Sequence, residues 1–190
     1  MKIIVCGLGA IGSNLLVQMV KQFPDLEYEG VDFDKVEDRN IRTQAYFVEH
    51  VGALKAVAMR GILMRYVRKL NYRSVPLKVT AMNPPVEQTL VIDCFDNAAS
   101  RALLHFPNAP TANVIHIGFS PLYAAEFIWD REYSVPNDIE PGQLDICSMD
   151  DAVGFVNFVV NLSVMNIAHF VSTGKKRSFL ISDKYRIKWM

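Results

Sequence analysis

The stretch Ile3-Ile4-Val5-Cys6-Gly7-Leu8-Gly9-Ala10-Ile11-Gly12 decides the fold. Its first four residues are a short apolar run of the kind buried on both faces of a sheet, and residues 10–22 continue as a helix with Leu15, Leu16, Met19 and Val20 on one stripe. Gly7, Gly9 and Gly12 permit a tight strand-to-helix turn, close approach of phosphate to backbone, and close packing of helix on sheet. The helix N-terminus adds free N–H groups and the positive end of its dipole. A second strand, residues 27–31, ends at Asp32, at the spacing where a carboxylate meets ribose hydroxyls. On these signals alone NAD and ATP stand level, with a turn that binds nothing as the lesser alternative.

Beyond Asp32, residues 33–51 are polar and too irregular for a regular element, and a loop of that length commonly binds something. The pattern predicts a helix over 52–70 with Leu54, Val57, Ala58, Ile62 and Val67 inward, then strands at 75–81 and 89–94 and a short helix at 97–105. Strands at 113–118 and 123–129 read as a hairpin-like excursion at the sheet edge, followed by a crossing loop over 130–148, a long apolar helix from 152 to 171 and a final hairpin. This alternation predicts an α/β protein with a doubly wound, mainly parallel sheet and a long C-terminal helix. We expect one domain over 1–190: a nucleotide-binding core at 1–118, then the crossing loop, long helix and tail at 119–190.

Composition narrows the classes. A chain of 190 residues, 51% apolar, can bury a core without disulfides or structural metals. Twenty basic residues balance twenty acidic ones, so no net field favours nucleic acid or an anionic membrane. Cys6, Cys94 and Cys147 are scattered and form no C-x-x-C pair, which speaks against a disulfide framework and a zinc site and for a reducing cytoplasm. The apolar run 152–171 carries Asn157, Asn161, Ser163, Asn166 and His169, so it reads as a buried or subunit-interface helix rather than a membrane span. His50, His105, His116 and His169 show no metal-ligand or catalytic spacing and read as surface or satisfied core.

Three further motifs separate the nucleotides. Asp32-x-Asp34, Val36-Glu37, Asn40 and Gln44 are followed by Gly52-x-x-Lys55 and by Asp93-x-x-Asp96-Asn97-x-x-x-Arg101. In this order, over residues 2–118, they resemble the ThiF/MoeB/HesA family of adenylyltransferases, relatives of the ubiquitin-activating enzymes. The resemblance implies a Rossmann-like, ThiF-type fold and ATP-dependent adenylation of the C-terminal carboxylate of a small ubiquitin-like or sulfur-carrier protein. It places Asp32 on the ribose, Asn40 and Lys55 near the phosphates and Asp96 on Mg2+, with Gly7, Gly9, Gly12, Asp34 and Asn97 completing the nucleotide site. It also implies a homodimer, or a heterodimer with a related subunit. Carboxylate attack on the α-phosphate brings anion onto anion, so a cation and fixed donors are needed where charge accumulates.

The chain also departs from the family pattern. Where the family has Asn-x-x-Arg-Gln, this sequence reads Asn40-Ile41-Arg42-Thr43-Gln44, so Thr43 stands at the arginine position and Arg42 and Arg39 become candidates to replace it. The two zinc-binding C-x-x-C pairs of many relatives are missing. Some relatives form a thioester or persulfide through a crossing-loop cysteine; Cys147 is the candidate here, with an incidental loop thiol as its plain alternative. Two other functions stay open: a non-catalytic ThiF-like subunit that needs a partner, and an NAD-dependent oxidoreductase.

Overall fold

The computed structural model describes residues 1–109, 111–119, 124–137, 150–182 and 184–190. These form an eight-stranded sheet in the order β3-β2-β1-β4-β5-β6-β7-β8. The strands are β1 (Lys2–Cys6), β2 (Glu27–Val31), β3 (Tyr72–Val75), β4 (Thr89–Asp93), β5 (Val114–Gly118), β6 (Ala125–Trp129), β7 (Phe179–Ile181) and β8 (Ile187–Trp189). From β3 to β5 every pairing is parallel; from β5 to β8 every pairing is antiparallel. The sheet is therefore mixed, with its parallel half leading, and β6 lies inside it rather than at the edge, because the tail hairpin extends it by two strands.

Alternation along each strand sends side chains to two separate cores. On one face Ile3, Val5, Leu90, Ile92, Ile115, Ile117 and Phe127 meet α1 (Ala10–Gln22), α2 (Lys55–Leu63) and α4 (Ala152–Thr173). On the other, Cys6, Val91 and Val114 are covered by Leu104, Ala112, Val79 and Met82 from the segments around the short α3 (Ala98–Ala102) and after β3. α4 packs on α1 and ends at Gly174, which takes the left-handed conformation and returns its N–H to the Phe170 carbonyl at 2.7 Å. It is long and apolar enough to cross a membrane, but one such helix is also what a core helix of this length looks like.

Two elements differ from expectation. The third strand is Tyr72–Val75, not 75–81, because Pro76 has no N–H to give the ladder and closes the strand. Its polar letters hid Tyr72, whose ring lies where a side chain on Gly30 would stand and whose hydroxyl donates to the Ala56 carbonyl at 2.9 Å. Helix α2 starts at Lys55 and stops at Leu63, so the buried stripe runs through Lys55, Ala56, Met59, Ile62 and Leu63 and leaves Val57 49% exposed.

Candidate functional site

The glycine turn closes at the carboxyl ends of β1 and β4. Gly7 has φ +85, and a side chain there would strike the Cys94 carbonyl; one on Gly12 would strike the Gly7 carbonyl. Both glycines are thus required by backbone meeting backbone. Gly9 differs: a Cβ there meets nothing within 4 Å, and Gly9 caps α1 without a side-chain hydrogen bond. The helix start therefore faces open space with its first N–H groups uncapped by side chains, which suits an anion.

Asp32 secures this turn from the neighbouring strand. It is buried, accepting from Leu8 N at 2.7 Å and from Asp34 N at 2.8 Å. Burial raises its pKa and the two backbone donors work against that shift without cancelling it. The segment after it is stitched onto the same turn. Tyr46 donates its hydroxyl to the Leu8 carbonyl, Asn14 donates to the Thr43 carbonyl, and Ser13 Oγ accepts from Ala45 N. Asn40 is buried in a short 3-10 turn (Asp38–Asn40), its Oδ1 accepting from Glu37 N at 2.9 Å. Lys55, at the start of α2, is buried with its Nζ 3.5 Å from the half-exposed Asp34 carboxylate, and its backbone N–H donates to the Asp34 carbonyl.

The Asp93–Arg101 segment reaches the turn from the other side. Cys94 N donates to the Cys6 carbonyl, and Cys94 lies against Gly7 and Gly12. Asp93 Oδ1 accepts from Phe95 N at 2.9 Å, which bends the chain toward the exposed Asp96. Asn97 caps α3 through Ser100 N and donates to Asp96 Oδ1 at 3.2 Å. The glycine turn and the Asp93–Asp96 turn therefore touch, while the Asn40 loop is tied to the glycine turn and Lys55 to Asp34. Arg42 lies elsewhere: it is exposed and donates to the Asp150 carbonyl, just ahead of α4. Arg39 is exposed on Glu37, and Thr43 is buried. Cys147 lies outside the described residues. Cys6 and Cys94 both have thiols pushed to high pKa by burial, which keeps them from acting as ready nucleophiles.

Sequence reasoning missed Ser13, Asn14 and Tyr46, which hold the loop down; two adjacent polar residues in the first turns of an otherwise apolar helix were the available signal. It also missed a buried polar network. Asp93 Oδ2 meets His116 Nδ1 at 2.8 Å, His116 Nε2 meets Asp130 Oδ1 at 2.8 Å, and the same oxygen meets His105 Nδ1 at 2.8 Å. Tyr133 stacks on His116 at 3.6 Å, and Arg101 donates to the Tyr133 hydroxyl at 3.0 Å. Burial works to lower the His116 pKa, but its hydrogen bonds to Asp130 and Asp93 outweigh it and the net shift is upward.

The model of the ThiF family matches residues 1–180. The chain belongs to the ThiF family. Among solved structures, Escherichia coli MccB superposes with a TM-score of 0.74 at 15% identity, over 100% of this chain and 61% of that one. PaaA does so at 0.63 and 18%, over 100% and 63%. E. coli tRNA N6-threonylcarbamoyladenosine dehydratase, TcdA, reaches 0.51 and 20%, over 60% of this chain and 50% of its own. MccB has been solved with ATP and with AMPCPP together with MccA. At these identities the likeness is one of fold, and this ThiF-family chain spans less than two thirds of the length of each of these relatives. Comparison with curated protein sequences finds no match.

Proposed function

We propose that the chain binds ATP and Mg2+ and activates a polypeptide carboxylate as an acyl-adenylate, releasing pyrophosphate, with the C-terminus of a small ubiquitin-like or sulfur-carrier protein as its substrate. The observation that carries this reading is the contact between the Gly7–Gly12 turn and the Cys94–Asp96 turn, with the open side of Gly9 free to take phosphate. The donor set fits the group: an uncapped helix start and the Lys55 ammonium suit a polyphosphate, and the exposed oxygens of Asp96 suit a hard cation. When bound, Mg2+ supplies positive charge that lowers the repulsion between the carboxylate and the α-phosphate. The chain's own residues align and shield. Asp32, through Leu8, fixes the backbone that meets the phosphates; Lys55, buried at the start of α2, holds its ammonium beside Asp34; Asn97 holds the start of α3 under Asp96.

The test is ATP–pyrophosphate exchange with candidate carriers ending in Gly-Gly. Asp96→Ala is expected to abolish exchange, and undiminished exchange in that variant removes Asp96 from the chemistry. A second reading, a ThiF-like subunit whose site a partner completes, is favoured by one observation: Thr43 is buried at the family's arginine position and Arg42 reaches toward Asp150 instead. Exchange by the purified chain alone excludes it. Pairing with a like or related subunit would use the exposed side of α4, where Val153 and Met165 face outward. NAD binding in place of ATP would favour an oxidoreductase.

A further inference from the structure

We propose that His105, His116 and Asp130 form a binding site for one first-row transition-metal ion of the zinc class, on the sheet face opposite α1, with Asp93 as the group that orients His116. These residues would hold a metal whether or not the chain binds ATP, although Asp93 also bends the chain toward Asp96. Its three ligand atoms, His105 Nδ1, His116 Nε2 and Asp130 Oδ1, all lie within 4.8 Å of one another and come from three separate places in the fold: the end of the α3 segment, the middle of β5 and the end of β6.

Asp93 is fully buried and its Oδ2 sits 2.8 Å from His116 Nδ1, so that nitrogen carries a proton and donates it. A neutral His116 would then present the lone pair of Nε2 to an Asp130 oxygen 2.8 Å away, an arrangement that is repulsive unless a proton or a metal ion lies between. The same Asp130 oxygen faces His105 Nδ1 at the same distance. Two protons answer these two contacts one at a time; a single divalent ion answers both. On its binding His116 releases the Nε2 proton and His105 carries its proton on Nε2, leaving three lone pairs directed inward. A carboxylate behind a buried ligating histidine is a recurrent second layer of metal sites, since it fixes the tautomer and ring plane.

The surroundings also favour a cation. Asp93, Glu126 and Asp130 are buried carboxylates, set against the buried Arg101 and the exposed Lys176, which lies within electrostatic reach of Asp130. Glu126 Oε1 has no hydrogen-bond partner among the described residues and lies 3.8 Å from Arg101. Two imidazoles with one carboxylate suit zinc and its first-row neighbours rather than Mg2+ or Ca2+, which prefer oxygen. Phe106 N donates to Asp130 Oδ2, which holds the carboxylate with Oδ1 toward the histidines, and the Tyr133 ring seals one side of His116. His105, with 22% of its side chain exposed, leaves the way in.

The chelator-treated chain is titrated with Zn2+, followed by thermal unfolding, and with Co2+, followed by visible absorption. The expected result is saturable binding of about one ion per chain, a rise in the unfolding midpoint with Zn2+, and the absorption bands of a low-coordinate Co2+ site. His105→Ala, at a partly exposed position and expected to keep the parent fold by circular dichroism, is expected to remove the bands and the stabilisation. Asp93→Asn is expected to weaken Co2+ about ten- to a hundredfold. No binding by the parent chain, or binding that His105→Ala and Asp130→Asn leave unchanged, overturns the site and leaves the cluster bridged by protons.

Discussion

Asp32 and Asp93 end the two strands that flank β1, and each bends the chain the same way, by accepting from the backbone N–H two residues on, at 2.8 and 2.9 Å. What differs is the second oxygen. In Asp32 it takes a backbone donor, Leu8 N, in the glycine turn; in Asp93 it takes a side chain, His116, and through it Asp130 and His105. The first arrangement is local to the strand–turn–helix unit and gives a rigid cradle with one open side at Gly9. The second is drawn from distant parts of the chain and gives a buried charged network whose visible product is the position of the Phe95–Asp96 turn. One strand end is built by backbone, the other by ionisable side chains, so they should fail differently.

Gly12 belongs to both halves and its loss should be the most damaging. In Gly12→Ala the new methyl meets the Gly7 carbonyl, which is backbone and cannot step aside, so a loss of about 3 kcal/mol or more is expected in urea unfolding. Retention of parent stability would mean that the turn is looser than described. Asp93→Asn comes next, at about 3 kcal/mol, because it strips the charge that pairs with a fully buried histidine. Asp32→Asn should cost less, about 1 to 2 kcal/mol, since only one amide hydrogen is turned against a backbone donor. Equal losses in this pair would erase the distinction between the two strand ends.

Glu29, on β2, supplies a smaller and pH-dependent contrast. Burial works to raise its pKa, but Arg73, at 3.0 and 2.9 Å, and Lys2, at 2.7 Å, outweigh burial and hold the carboxyl below the usual glutamate range. A folded pKa below the unfolded one means that this contribution is present above the ordinary glutamate pKa and is lost as pH falls through the folded value. Glu29→Gln should therefore lower the unfolding midpoint slightly at neutral pH and flatten the acid limb of the stability profile; an unchanged acid limb would show that Glu29 is not coupled to folding. Gly9→Ala should have the smallest effect on stability, within about 0.5 kcal/mol, because its methyl meets nothing. It should nevertheless weaken nucleotide binding, and unaltered affinity would mean that phosphate does not use the open side of the turn.

The same contrast explains what the sequence made legible. The glycine turn, Asp32 and the Asp93–Arg101 segment are short motifs in which function and spacing are local, and they led to the ThiF resemblance that the family match over residues 1–180 bears out. The third strand was misplaced because apolar letters after Pro76 outweighed the missing N–H, while Tyr72 was hidden among polar neighbours. The histidines looked isolated because His105, His116 and Asp130 meet only through the β4–β5 and β5–β6 pairings, and register between strands is not written in a single sequence. Ser13 and Asn14 were visible as polar intrusions in α1, but their partners, Ala45 and Thr43, lie in an irregular loop that carries no periodic signal.

The central claim is that the glycine turn and the Asp96 turn together seat ATP. Calorimetric titration of the chain with ATP in the presence of Mg2+, and separately with NAD, tests it most directly. The account predicts saturable heat from ATP, lost without Mg2+ and reduced in Asp96→Ala, and none from NAD; binding of NAD, or no heat from ATP with candidate carriers and related subunits present, would contradict it.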